Sequence, residues 1–172
     1  MTLLDKEGVK KAEKSLKEFD PNQNIIILNS SARTALEAAE SLNCDKGAIV
    51  KSLLFKTENT FILCLIAGDK KASLNKIKKE LNIKDCSMAT AEEVKDVTGY
   101  TIGGVSPLGH LNKIDIYVDN SLKRFNALFA AAGHPHCVFK TNFKDLLKIT
   151  NGRSIFVLPL HGITEIPSAS KL

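Results

Sequence analysis

The chain has 172 residues, 44% hydrophobic and 25% charged, and its 24 lysines and arginines outnumber 19 acidic residues for a net charge of +5. This is the mix of a globular domain, and it excludes a disordered tail and a fibrous repeat; no apolar run approaches the about 20 residues of a membrane-spanning helix. A chain this long buries about two-thirds of its unfolded surface, so one domain over residues 1–172 needs no disulfide or metal staple.

In chain order, residues 6–19 form a helix, because Val9, Ala12, Leu16 and Phe19 recur at spacings of three and four between charges. Asp20-Pro21-Asn22 ends it, and residues 25–28 form a short strand. Ser31 caps a helix over 32–42. Residues 48–56 and 60–67 are strands joined as a hairpin at Glu58-Asn59. Helices follow over 74–81 and 91–97, then a strand over 114–118 that ends at Asp119. Residues 126–132 and 137–140 are strands around the turn Gly133-His134-Pro135-His136. Asn142 caps a helix over 143–149, residues 154–158 make a last strand, and the tail after about residue 160 is loose. Hairpins interspersed with helices predict an α+β fold rather than a doubly wound parallel sheet.

Only three of the basic residues are arginines, Arg33, Arg124 and Arg153. Lysine is a strongly hydrated point charge, so the excess suits a polyanion backbone better than base reading in DNA; its simplest meaning is a lysine-rich surface. Cys44, Cys64, Cys86 and Cys137 form no CxxC pair and have no zinc-ligand spacing, so no metal is expected. Residues 1–19 are rich in lysine and glutamate with no signal-peptide core, and the expected location is the cytoplasm.

Two segments depart from ordinary patterning. Lys51 stands in an apolar strand, on the face shared by Ile49, Leu53 and Phe55, while Val50 and Leu54 line the other face. A lysine buried on both sides needs an anionic partner or an outlet to water, so it either holds a phosphate or carboxylate in a cleft or snorkels from a strand edge. The second is residues 99–110, GYTIGGVSPLGH, which hold four of the ten glycines. Gly103 and Gly104 allow main-chain N–H groups to point into one concavity, stiffened by Pro107. Such donors hold an oxyanion; a plain turn between strands is the other meaning. The segment is neither a Walker A loop nor GxGxxG. His110 and Asp119 form a candidate acid–base pair, Ser52 and Ser106 are candidate nucleophiles without a G-x-S-x-G elbow, and Arg33 and Thr34 open a helix that could meet an anion.

Taken together, Ser31-Ala32-Arg33-Thr34, the lysine-bearing strand 49–55, Ile66-Ala67-Gly68-Asp69, Gly103 to Pro107 as a GxxxP loop, Tyr117-Val118-Asp119 and Ala131-Ala132-Gly133 resemble, in order and spacing over about residues 25–150, the YbaK/ProX family of aminoacyl-tRNA editing domains. The resemblance implies a mixed, mainly antiparallel, partly barrel-like sheet surrounded by helices. It implies a trans-acting deacylase that hydrolyses the ester of a small amino acid (alanine, cysteine, serine or threonine) on the acceptor end of tRNA, with proline tRNA the first guess. In that reading Lys51, Gly103, Gly104, His110 and Asp119 carry the chemistry. Arg33, Thr34, Ile49, Leu53, Ser106, Pro107 and Gly133 bind substrate, with Phe55 and Ile102 as further pocket walls. No cofactor, metal, membrane or DNA is implied; prolyl-tRNA synthetase or elongation factor would deliver the tRNA. A non-catalytic tRNA- or synthetase-binding module and a small-molecule hydrolase using Ser106 and His110 are the alternatives.

Overall fold

The computed structural model describes residues 1–29 and 32–159. Ser31 and the tail after residue 160 lie outside the described residues. Among the described residues the five α-helices are α1 (Glu7–Phe19), α2 (Ala35–Leu42), α3 (Leu74–Leu81), α4 (Ala91–Thr98) and α5 (Phe143–Thr150). The strands are β1 (Ile26–Ile27), β2 (Val50–Thr57), β3 (Phe61–Ala67), β4 (Cys86–Met88), β5 (Asp115–Asp119), β6 (Leu128–His134), β7 (Cys137–Thr141) and β8 (Arg153–Ile155).

The fold is α+β with two sheets, ordered β1-β7-β6 and β4-β2-β3-β5-β8. Most pairings are antiparallel, but β5 runs parallel to both β3 and β8. The sheets meet at one isolated parallel bridge, Ile49 to Phe129, instead of a continuous ladder, so the described strands do not close a barrel.

Helix faces follow the apolar spacing. Val9, Ala12 and Leu16 are buried, and α1 lies across β6. That crossing is close: a Cβ on Gly8 would sit 2.8 Å from the Gly133 carbonyl oxygen, and one on Gly133 would sit 2.7 Å from the Val9 nitrogen. Gly133 also has φ +88°, which a side chain disfavours. Thr90 and Asn142 cap α4 and α5 by accepting the N–H of Glu93 and Asp145.

Several elements differ from expectation, among them the last strand, expected over 154–158, which is β8 and ends at Ile155. Thr34 caps α2, which therefore begins three residues later than position 32. Residues 86–88 form a strand too short to show alternation; pairing with β2 creates it. Gly133 and His134 continue β6, so the turn into β7 is only Pro135-His136.

Both faces of the five-stranded sheet are covered. Val50, Leu54, Leu63 and Leu65 join the central core with α1 and β6, while Phe55, Ile62, Cys64 and Ile66 pack on Ile77 of α3. A sheet clothed on both sides leaves little water for a charge on it, and Lys51, the second residue of β2, is half-buried there at a cost.

Candidate active site

A cleft of about 310 Å³ opens between the start of α2, the first half of β2, residues 102–105 and the β6–β7 hairpin. Its walls are mostly apolar: Ala35 and Ala38 of α2, Ile49 and Leu53 beside β2, Phe129 and Ala131 of β6, Val138 of β7, and Ile102 and Pro135. Arg33 and Thr34 stand at its edge, and Thr34 is already committed as the cap that accepts the Glu37 N–H at 3.1 Å. Among the described residues no three His, Cys, Asp or Glu side chains are grouped to hold a metal ion.

Lys51 is the one cation on the sheet wall of this cleft. Alternation puts it on one side of the strand with Ile49 and Leu53; Val50 and Ser52 also line the cleft, and Val50 reaches the core as well. Its ammonium donates to the main-chain carbonyl of Lys70, just past the end of β3. Burial, reinforced by the charge of Lys46 and then of Lys71, lowers its pKa to about 8; Asp69 opposes the shift. A lysine poised this near neutrality holds an anion strongly when charged and becomes a base when not.

Across the cleft stands the glycine loop. Gly103 has φ +95°, lines the cleft and is exposed. Among the described residues the Gly103 and Val105 amides take no main-chain acceptor. Gly104 serves a different purpose from the one expected. Its N–H closes a turn on the Thr101 carbonyl at 3.0 Å, and a Cβ there would meet the main chain of His134 at 2.9 Å. Its amide is therefore not open to a ligand, and its lack of a side chain lets the loop lie on the β6–β7 hairpin.

Several expected residues do not reach the cleft. Asp119 is 2% exposed, and its carboxylate accepts the N–H of Ser121 at 2.9 Å and of Val157 at 2.8 Å, latching β5 to the segment after β8. His110 faces a separate surface hollow with Pro107; its Nε2 donates to the Ser106 carbonyl at 2.7 Å. Burial holds the His110 pKa below the usual imidazole range, against the contrary pull of that carbonyl. Gly133 is occupied by the α1 crossing. Phe55 is 1% exposed in the core beneath α3, away from the cleft.

The serine–histidine alternative fails on the same geometry. Ser106 is fully buried, its hydroxyl accepts the Leu108 N–H at 3.4 Å, and His110 contacts its carbonyl rather than its hydroxyl. The Ser52 hydroxyl is buried without a partner among the described residues, so nothing activates it as a nucleophile. Burial pushes the Cys64 thiol up to about 12.

Phe129, Ala131, Pro135 and Val138 were not legible as site residues. Alternation in β6 does separate Phe129 and Ala131 from the buried Leu128, Ala130 and Ala132, but nothing local says which face meets Lys51. Also unforeseen is the Arg124–Asp69 pair, bidentate at 3.0 and 2.6 Å, beside the end of β3.

Residues 29–149 match the model of the aminoacyl-tRNA editing domain. A proline--tRNA ligase of Caldicellulosiruptor bescii is 29% identical over 140 residues, covering 76% of this chain and 24% of the ligase. The chain thus spans about a quarter of that ligase. The uncharacterized protein YwhH of Bacillus subtilis is 32% identical over 130 residues, covering 75% of this chain and 82% of YwhH. Among solved structures, a candidate trans-editing enzyme for prolyl tRNA synthetase superposes with a TM-score of 0.83 at 31% identity, over 88% of this chain and 97% of that one. The hypothetical protein APE2540 superposes with a TM-score of 0.79 at 28% identity, over 86% of this chain and 98% of that one.

Proposed function

The chain belongs to the aminoacyl-tRNA editing domain family, and from that membership we propose that it is a deacylase hydrolysing the ester between a small amino acid and the 3′ end of tRNA. The observation that carries this reading is Lys51 on the sheet wall of a mostly apolar cleft that is also lined by Gly103 and Val105, whose amides take no main-chain acceptor among the described residues.

An aminoacyl ester is already activated, so positioning and charge stabilisation suffice and no protein nucleophile is required. Lys51 binds the phosphate or the ester region of the terminal nucleotide and fixes the 3′ end. The Gly103 and Val105 N–H groups receive the carbonyl oxygen as negative charge develops on it. Water held between them attacks the carbonyl carbon; the bond from that carbon to the ribose oxygen breaks, and the water's proton passes to the departing ribose oxygen, which leaves as the hydroxyl of the tRNA. The apolar walls from Ile49, Leu53, Phe129 and Ala131 take the amino-acid side chain.

The mostly apolar walls suit the side chain of alanine or cysteine, while the unpartnered Ser52 hydroxyl, which lines the same cleft, gives the hydroxyl of serine or threonine one candidate partner. The similarity to proline--tRNA ligases supports proline tRNA as the carrier. A second sieve is useful because a synthetase pocket separates side chains differing by one methylene only about 10–200-fold. With two Tyr, eight Phe and no Trp, aromatics are 6% of the chain, a thin supply of platforms for stacking bases, which favours delivery of the tRNA by a partner such as prolyl-tRNA synthetase.

The test is a deacylation panel with labelled Ala-, Cys-, Ser-, Thr- and Pro-tRNA, with Lys51→Ala beside the wild type. Rapid loss of one small-residue ester, abolished in the variant, is the expected result. Inertness toward all five with tRNA binding retained would replace the deacylase by a non-catalytic binding module.

A further inference from the structure

From the wall of the cleft the Lys51 ammonium donates to the Lys70 carbonyl, and around that contact the chain gathers more cations than acids. Lys46 lies in the 3-10 turn Lys46–Ala48, and Lys70 and Lys71 follow β3. Gly68 makes the convergence possible: a Cβ there would lie 2.9 Å from the Ala35 side chain and 3.0 Å from the Ile49 carbonyl oxygen, so any larger residue would push the turn at 46–49 away. Lys46 and Lys71 are both close enough to disfavour the charge on Lys51.

Neutralisation from acids is small. Asp69 is the carboxylate that acts on Lys51, and Arg124 holds it in a bidentate pair. No carboxylate of the described residues forms an ion pair with Lys46, Lys70 or Lys71. Lys71 is exposed and Lys46 and Lys70 are half-buried, so their charges face solvent beside the cleft. Like charges held together by the fold cost stability and gain most from a polyanion. Lysines serve this purpose without reading sequence, since each meets a phosphate as a point charge.

We propose that Lys46, Lys70 and Lys71 form a rim that binds the sugar–phosphate backbone of the tRNA acceptor end and feeds its 3′ terminus to Lys51. The inference rests on the deacylase reading for the identity of the polyanion. Arg124 belongs to the device: its bidentate hold on Asp69 weakens, without abolishing, the pull of that carboxylate on Lys51 and Lys70.

The experiment is a fluorescence anisotropy titration of a labelled tRNA acceptor-stem hairpin across about 50–200 mM salt. It compares wild type, the triple variant Lys46→Gln/Lys70→Gln/Lys71→Gln, and a control triple, Lys6→Gln/Lys11→Gln/Lys95→Gln, at the hollow beside Gly99. Each phosphate contact contributes about 0.7–0.9 to the slope of log affinity against log salt, so the rim variant should lose about 2 while the control keeps the wild-type slope. Lys71→Glu, at an exposed position, repeats the test with the least risk to folding and should lose more than a neutral change there. An unchanged slope in the rim variants, a loss only in the control, or absence of salt-dependent binding by the wild type would each overturn the rim. Deacylation by the wild type is scored separately: a protein that binds through the rim but hydrolyses no ester refutes the deacylase and leaves the rim standing.

Discussion

The Lys51 ammonium donates to the Lys70 main-chain carbonyl, tying the start of β2 to the turn that follows β3. Strand pairing sets this up, since Lys51 is opposite Ile66 and the chain turns back just beyond Ala67. The carbonyl satisfies one of three ammonium donors and carries no charge, so Lys51 keeps its capacity for an anion.

The first prediction concerns pH. The folded-state pKa of Lys51, about 8, lies below its ordinary 10.5. Between those values the unfolded chain binds more protons, so wild-type stability rises with pH through the window and is lost as pH falls through about 8. Lys51→Met removes the half-buried charge. After discounting for the solvent that still reaches the ammonium, it should raise the melting temperature by about 2–4 °C at neutral pH. The advantage should shrink as pH passes from 8 to 10.5. Paired melting curves check this, and an advantage that grows with pH would contradict it.

Asp69 and Arg124 should move Lys51 in opposite directions. Asp69→Asn removes the carboxylate that supports the ammonium, so the Lys51 pKa falls further. Arg124→Gln leaves Asp69 without its partner, and the freed carboxylate raises it. Titration of the Lys51 Cε resonance by NMR reads both shifts. Each variant should cost only about 0.5–1 kcal/mol, because the pair is partly exposed; shifts of the same sign would break the argument.

Ser106→Ala separates two chemistries. A serine hydrolase would lose all turnover. With Ser106 buried and turned from His110, the expected loss is under about 10-fold, against about 100-fold or more for Lys51→Ala. The lost acceptor for the Leu108 amide should cost about 1 kcal/mol of stability. Steady-state deacylation by the two variants decides it, and equal losses would remove Lys51 from its assigned role.

Gly133→Ala should be severe. The added carbon would meet the first turn of α1 at the Val9 nitrogen, and φ +88° adds strain. Destabilisation of about 3 kcal/mol or more is expected in chemical denaturation, with α1 loosened from β6. A variant as stable as wild type would mean that α1 does not pack there.

Helix faces and the alternation of β2 were legible because both depend on a backbone period that nearby residues reveal. Val9, Ala12 and Leu16 are buried as their spacing requires, and Lys51 shares its wall with Ile49 and Leu53. The order of the lysine strand, the glycine loop and the later motifs was enough to point to the family, because those segments run in one direction along the chain. Convergence across the sheets was not legible. Asp119 reads like a catalytic acid until β5 is seen latched to Val157, and Gly104 reads like an oxyanion donor until its amide is found closing on Thr101. Phe129 and Val138 enter the cleft through the one bridge between sheets, and Lys46 and Lys71 gather around Lys51 through the approach at Gly68. Periodicity is local and survives in any register, whereas a site depends on which distant segments pack together, and that is fixed by the cooperative burial of the whole core.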